Sequence, residues 1–242
     1  MELDRKSNRL IGRAMHDYQM LADRDRVMVA VSGGVDSLVL LSILRDWQLK
    51  APIKYDLLAV HLDMGFGEDE ADLVATQLER IGVEYLVEKT DIGPRALEKE
   101  DGRSGCFHCS RERRNRLFEM AREQNFSKLA MGHHKEDIIE TFFLNMMYGG
   151  NLSTMVPKQD LFEGRLSLIR PMSYLEKIAI REISAGLGIT PVENPCPLSG
   201  KSKRQQVRDL LESIYKEDGS IKSTIFSALA NIKSDYLLKN TI

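Results

Sequence analysis

A continuous apolar run, Val27-Met28-Val29-Ala30-Val31, passes directly into Ser32-Gly33-Gly34-Val35-Asp36-Ser37 and then into helix-spaced apolar residues from 37 to 48. No other feature of the chain restricts its fold as strongly. A strand that is apolar at every position is buried on both faces, as a parallel strand between two helical layers is. Two glycines at the handover let the backbone turn sharply and approach a ligand closely, and the helix that follows offers unpaired N–H groups and a favourable dipole to an anion. The same pattern recurs at 57–62 and 128–131 as short apolar runs, and at 68–81 and 110–124 as helical spacing, with Gly82 as a C-terminal cap. The expectation is therefore a doubly wound, Rossmann-like α/β fold with a parallel sheet of about five strands. Leu10, Ile11, Ala14, Met15, Tyr18 and Leu21 place an amphipathic helix in the first 26 residues. Helices are expected again at 205–215 and 225–238, after an extended Pro-bounded segment, 191–197. The chain is read as one domain: a leading helix (1–26), an α/β core (27–190) and a C-terminal part (191–242) that holds the third cysteine.

The Ser32–Ser37 loop is read as a pyrophosphate cradle, with Ala30 and Val31 at the strand end and Ser32, Gly33, Gly34, Asp36 and Ser37 around the nucleotide. The plainer alternative is a tight turn in which Asp36 or Ser37 merely caps the helix. Two other nucleotide signatures fail. Gly200-Lys201-Ser202 has Pro195 where a Walker loop needs glycine, and Gly65-Phe66-Gly67 is followed by Glu70 where a dinucleotide fingerprint needs glycine. Gly132-His133-His134-Lys135-Glu136-Asp137 sits at another strand end, where open α/β sheets bind ligands. Asp137 is a candidate carboxylate for Mg²⁺ or the ribose-phosphate, Gly132 for close approach of the nucleotide, and Leu62 for the adenine and ribose wall. His133, His134 and Asp63 are left without assigned roles.

Composition narrows the classes that remain. The 242 residues are 43% hydrophobic and 29% charged, which excludes a disordered chain, collagen or a coiled coil. The net charge of -2 means that a polyanion would have to meet a local basic patch. Such patches exist at 110–116 (Arg111, Arg113, Arg114 and Arg116) and at 201–204, although either can equally be a solvated helix face. No apolar run is long enough to span a membrane and the N-terminus lacks the apolar core of a secretory signal, so a cytoplasmic location is expected. Three cysteines, Cys106, Cys109 and Cys196, suit a metal or redox site in a reducing compartment. A Cys106–Cys109 redox disulfide and a zinc site completed by His108 remain open beside an iron–sulfur site.

Together these segments resemble a known family. Ser32-Gly33-Gly34-Val35-Asp36-Ser37 is similar to the SGGxDS loop of PP-loop ATP pyrophosphatases. Cys106-Phe107-His108-Cys109 with the arginines after it, Gly132 to Asp137, Phe143 to Gly150, Arg170-Pro171, Asn194-Pro195-Cys196 and Phe226-Ser227-Ala228 resemble consecutive motifs of the TtcA family of tRNA 2-thiocytidine synthetases. The resemblance implies ATP, Mg²⁺ and a [4Fe-4S] cluster held by Cys106, Cys109 and Cys196, with Ser199 standing where the family has a further cysteine. It implies Asp36, Asp137 and Arg113 as catalytic residues, and adenylation of a tRNA base carbonyl, most naturally that of a cytidine, followed by replacement of its oxygen with sulfur. Its partners would be tRNA, a sulfide or persulfide donor such as a cysteine desulfurase, and a second copy in a homodimer, with no membrane. The alternatives are the same chemistry on another tRNA base or a small metabolite, or a nucleotide-binding or cluster-sensing module without turnover.

Overall fold

The computed structural model describes residues 3–99, 102, 104–198, 200 and 202–238. Ser199 and Lys201, both singled out above, lie outside the described residues. By its internal contacts the chain divides into two compact units, 1–134 with 156–199, and 135–155 with 200–242.

The first unit carries the sheet. Its strands are β1 (Arg26–Ala30), β2 (Asp56–Asp63), β3 (Glu84–Lys89), β4 (Lys128–Ala130), β5 (Lys158–Leu161) and β6 (Leu166–Ile169), in the order β3-β2-β1-β4-β6-β5. All neighbours are parallel except the β5–β6 hairpin, which adds an antiparallel edge that the apolar pattern did not suggest. The strand order reverses between β1 and β4, whose pairing matches Val29 with Ala130. A doubly wound sheet has its ligand crevice at the carboxyl ends of two such strands.

Helices α1 (Arg5–Asp17), α2 (Val35–Lys50), α3 (Glu70–Ile81), α4 (Ile92–Leu97), α5 (Gly105–Glu123) and α7 (Lys177–Leu187) belong to this unit. Asp4 starts α1 by accepting from the N–H groups of Lys6 and Ser7, both at 2.9 Å, and Gly82 ends α3 with φ +75, as predicted. On one side of the sheet Leu38, Leu40, Leu41, Ile43 and Leu44 of α2 pack with Val27, Val29 and Ala59; on the other, Leu117, Met120 and Ala121 of α5 pack with Met28, Leu58 and Leu129. Each such side chain contributes about 1.5–3 kcal/mol over exposure, and these two layers hold the carboxyl end of β1 in place.

The second unit consists of α6 (Lys135–Gly149), α8 (Lys203–Glu217) and α9 (Ile221–Ala228) around Ile139, Val207 and Leu211. The helix expected at 225–238 is in fact α9, beginning at Ile221 and ending at Ala228, with a short 3₁₀ turn at Ser234–Tyr236. Ile232, Tyr236, Leu237 and Leu238 are exposed and bury no stripe that would carry the helix onward.

Candidate active site

The Ser32–Ser37 loop closes on itself. Val31 N–H donates to Val60 O (2.8 Å), continuing the β1–β2 ladder, and the Ser37 hydroxyl accepts from Ser32 N–H (3.1 Å) while donating to Gly34 O (2.9 Å). Ser37 is buried and braces the loop, whereas the Ser32 hydroxyl, 3.3 Å from that of Ser37, is on the exposed side. Gly33 adopts φ +78, and a Cβ there would lie 2.8 Å from Val74 Cγ2 and 3.2 Å from Val192 Cβ, so both conformation and space require glycine. Its carbonyl accepts from Val192 N–H at 3.0 Å, which ties the Pro-bounded segment to the loop.

The helix is capped by Gly34, without a side-chain hydrogen bond, so neither Asp36 nor Ser37 is the N-cap that the plainer reading required. Asp36 has another partner. Lys177 at the start of α7 donates from Nζ to Asp36 Oδ1 (2.5 Å) and Oδ2 (2.6 Å). Sequence reasoning missed Lys177. Its one signal was a cation on the first turn of a helix, where the dipole disfavours it unless an acid is near.

Gly132 sits at the carboxyl end of β4, and a Cβ there would stand 3.0 Å from Asp36 C and O and 3.1 Å from Ser37 N. Glycine is required there because the first turn of α2 packs against it. His133 Nδ1 accepts from buried Arg170 Nε (3.3 Å), and Arg170 Nη1 donates to Val156 O (2.5 Å). His134 is buried.

At the end of β2, Leu62 is buried in the core on the α5 side. Buried Asp63 accepts from Gly65 N–H at 2.8 Å. His61, 1% exposed, donates from Nδ1 to Val31 O at 2.9 Å, which fixes the tautomer, and its Nε2 is buried without a partner. Burial pushes the imidazole pKa down, over the opposing effects of the Val31 carbonyl and Asp63. Arg113 is the remaining charged neighbour of His61.

Helix α5 begins at Gly105, five residues before the stretch expected at 110–124, and Ser104 caps it by accepting from Phe107 N–H (3.3 Å). Cys106 and Cys109 therefore lie on the helix itself, at i and i+3 on one face. Cys196 reaches them from the 191–197 segment, where Asn194 Oδ1 accepts its N–H at 3.0 Å. Burial pushes the Cys109 thiol pKa up, Arg113 opposes this, and the nearby Cys196 and Cys106 add to the rise. The fold thus gathers all three thiols and Arg113. They are not closed on a point: among the described residues no three His, Cys, Asp or Glu side chains are arranged to hold a single metal ion.

Asp137 lies in the first turn of α6, in the second unit, with Arg204 Nη1 3.7 Å from its Oδ1. Of the basic run at 201–204, Lys203 lies over the Tyr148 ring (4.5 Å) and Arg204 on Glu140 (3.4 Å), both within this unit. Arg111 and Arg114 are exposed and carry no ion pair among the described residues. No helix among the described residues is long and apolar enough to cross a membrane.

Known proteins resemble this chain over nearly all its length. A PP-loop domain family model matches residues 3–214. A tRNA-cytidine(32) 2-sulfurtransferase of Syntrophotalea carbinolica is 36% identical over 239 residues, covering 98% of this chain and 92% of that protein. One from Actinobacillus pleuropneumoniae is 38% identical over 243 residues, covering 98% and 75%. Among solved structures, the U34-tRNA thiolase NcsA from Methanococcus maripaludis with its [4Fe-4S] cluster superposes with a TM-score of 0.75 at 21% identity, covering 93% of this chain and 77% of that one. The NH3-dependent NAD synthetase of Campylobacter jejuni has a TM-score of 0.52 at 14% identity, covering 100% and 99%. At those identities the two structures speak for the fold alone.

Proposed function

Because the chain belongs to the tRNA-cytidine(32) 2-sulfurtransferase family of PP-loop proteins, we propose that it activates the C2 carbonyl of a tRNA cytidine with ATP and replaces that oxygen with sulfur. The observation that carries this reading is the convergence of Cys106, Cys109 and Cys196, two from a helix and one from a distant loop, beside Arg113 in the unit that holds the nucleotide loop. Arg111 and Arg114 on the same helix, exposed and without ion pairs among the described residues, favour an RNA substrate over a small metabolite.

The donor set fits a [4Fe-4S] cluster. Three thiols and no fourth cysteine suit three separately held irons, whereas a closed zinc site draws four donors. Bound by Cys106, Cys109 and Cys196, the cluster would supply the sulfur nucleophile from its iron without a protein ligand.

The chain's own residues account for the adenylation. The cytidine O2 attacks the α-phosphate of ATP, pyrophosphate leaves, and the activated C2 then takes sulfur as AMP departs. The backbone N–H groups at the start of α2, left without a side-chain cap, face the phosphates, with Ser37 keeping the loop rigid and Gly33 its turn. Lys177 turns from Asp36 to neutralise the departing pyrophosphate. Mg²⁺ needs only one or two carboxylates beside phosphate oxygens, and Asp36 would supply one. Arg113, beside the thiols, balances charge where the activated base meets sulfur. The sulfur reaches the protein from a sulfide or persulfide donor.

Anaerobically purified protein, assayed for iron, pyrophosphate and 2-thiocytidine with tRNA transcripts, tests this. Wild type is expected to contain about four irons per chain and to form all products. Cys196→Ala is expected to abolish thiolation while binding ATP normally. Lys177→Ala should slow pyrophosphate formation on the order of 10²-fold with unchanged iron. A protein that stays iron-free after anaerobic reconstitution, or leaves tRNA unmodified, overturns the proposal.

A further inference from the structure

The charged residues of α5 divide by face. On one flank the charges cancel: Arg116 pairs with Glu88 (2.6 Å), Glu119 (3.3 Å) and Glu123 (3.2 Å), and Glu112 with Arg95 (3.0 Å) and Lys99. Arg111, Asn115, Phe118 and Arg122 follow one another at i, i+4, i+7 and i+11, so they form a second flank, with Arg114 at its edge. Arg111, Arg114 and Arg122 are exposed and carry no ion pair among the described residues. Three cations along one flank, without ion pairs among the described residues while Glu112, Arg116, Glu119 and Glu123 on the other flank are paired, are a surface for a polyanion.

Toward the C-terminal end of α5 this flank opens into a groove of about 610 Å³ beside the β5–β6 hairpin, lined among others by Asn115, Phe118, Arg122, Asn125 and Phe162. Phe162 lies in the hairpin turn with φ +52, and Glu163 after it has φ +60. Such a turn favours Asn or Gly at both positions, so a phenylalanine is held there against its conformational preference. Its ring is not buried as compensation. It is 57% exposed and meets Phe118 edge-on, with centroids 5.6 Å apart at 83°. A strained, exposed ring beside guanidinium and carboxamide groups suits a nucleotide, with the base stacked on the ring and the phosphate on arginine.

We propose that this groove is a second nucleotide slot for the RNA substrate, which stacks an unmodified base on Phe162 while its phosphates follow Arg122, Arg114 and Arg111 toward the cysteine end of α5. The inference rests on the RNA reading above. From Cys109 to Arg122 the helix rises about 20 Å, the length of on the order of six stacked nucleotides at about 3.4 Å each. The slot thus grips the RNA away from the reacting base and contributes affinity without chemistry.

The test uses cluster-loaded protein and full-length tRNA transcript, with binding measured across a salt series and thiolation measured at steady state. Phe162→Gly removes the ring at a position whose backbone suits glycine, so the fold is expected to hold; Phe162→Tyr keeps the ring. Phe162→Gly should raise the Kd and KM for tRNA on the order of ten-fold with kcat and iron content unchanged, and Phe162→Tyr should restore both. Arg122→Ala should lower the slope of log affinity against log salt by about 0.7–0.9. Wild-type Kd and salt slope in Phe162→Gly and Arg122→Ala overturn the slot, and with it any RNA occupant of the groove. The functional reading fails separately, by a wild type that forms no 2-thiocytidine, and the binding measurement judges the slot in either case.

Discussion

Glu70 opens α3 with one carboxylate oxygen, Oε2, buried and without a partner. Burial, and then the charge of Asp63, push its pKa above the ordinary 4.5. A folded pKa above the unfolded one means that the folded protein prefers the neutral acid. This contribution is whole below the unfolded pKa and is lost as pH rises through the folded value. At pH 7 the ionised carboxylate is therefore a cost to folding, only partly relieved by the helix dipole. Glu70→Gln is expected to stabilise by about 1 kcal/mol at pH 7, or roughly 2–4 °C in Tm, and the gain should vanish near pH 4. Melting curves at the two pH values decide it, and an equal gain at both would show that the titration is irrelevant. Residues of this kind are illegible in sequence, because nothing in Glu70 itself announces a buried oxygen. Gly33 and the cysteines were legible because backbone freedom and thiol chemistry belong to few residue types. Lys177 was not, since lysines are common and its partner Asp36 is 141 residues away.

Element by element, apolar periodicity read the buried strands and α2 well, and failed where burial is partial. Helix α4 contains Gly93 and Pro94, which argue against a helix, yet Pro94 falls in the first turn, where its missing N–H costs nothing. Strand β5 is Lys-Gln-Asp-Leu, too polar to read as a strand, because it is the sheet's edge. The joint between α6 and α8 was invisible for another reason. Glu140 on α6 is buried, and Arg208 on α8 grips it with two bonds, Nε to Oε1 at 2.8 Å and Nη2 to Oε2 at 3.0 Å, while Arg204 Nη1 lies 3.4 Å from Oε2. The hydrogen-bonded Glu140 carboxylate holds the Arg208 guanidinium pKa up, and partial burial works against it. Removing one partner of a fully buried pair costs about 3–5 kcal/mol, but here both arginines are about 40% exposed and can turn to water. Glu140→Ala is expected to destabilise this unit by roughly 2 kcal/mol, below that range, and Glu140→Gln by less. Hydrogen exchange of α6 and α8 amides measures it, and unchanged protection in Glu140→Ala would assign the joint to packing alone.

Across the whole molecule, sequence order hides the partition. Helix α6 follows β4 after four residues, as in any α/β alternation, yet 135–155 belongs with 200–242 and the chain returns to the sheet unit at 156. The family model runs through both units, so a reading of one domain follows from the sequence even though the internal contacts divide. The two units are built on different amounts of core. The sheet unit buries apolar side chains on both faces of β1 and β2, including Met28, Val29, Leu40, Leu41 and Leu129 at 0% exposure. The helical unit rests on Ile139, Val207 and Leu211 with partly buried Phe143, Leu144, Tyr215, Ile225 and Phe226, and α9 has no buried residue at all. Local opening follows local burial. Under native conditions β1 and β2 amides are expected to exchange only through the global opening of the sheet unit, while α9 exchanges fastest and α8 in between. Hydrogen exchange followed by mass spectrometry resolves these segments. Equal exchange of α9, α8 and β1 would mean that the two units open as one, and that side-chain burial within the helical unit does not set its stability.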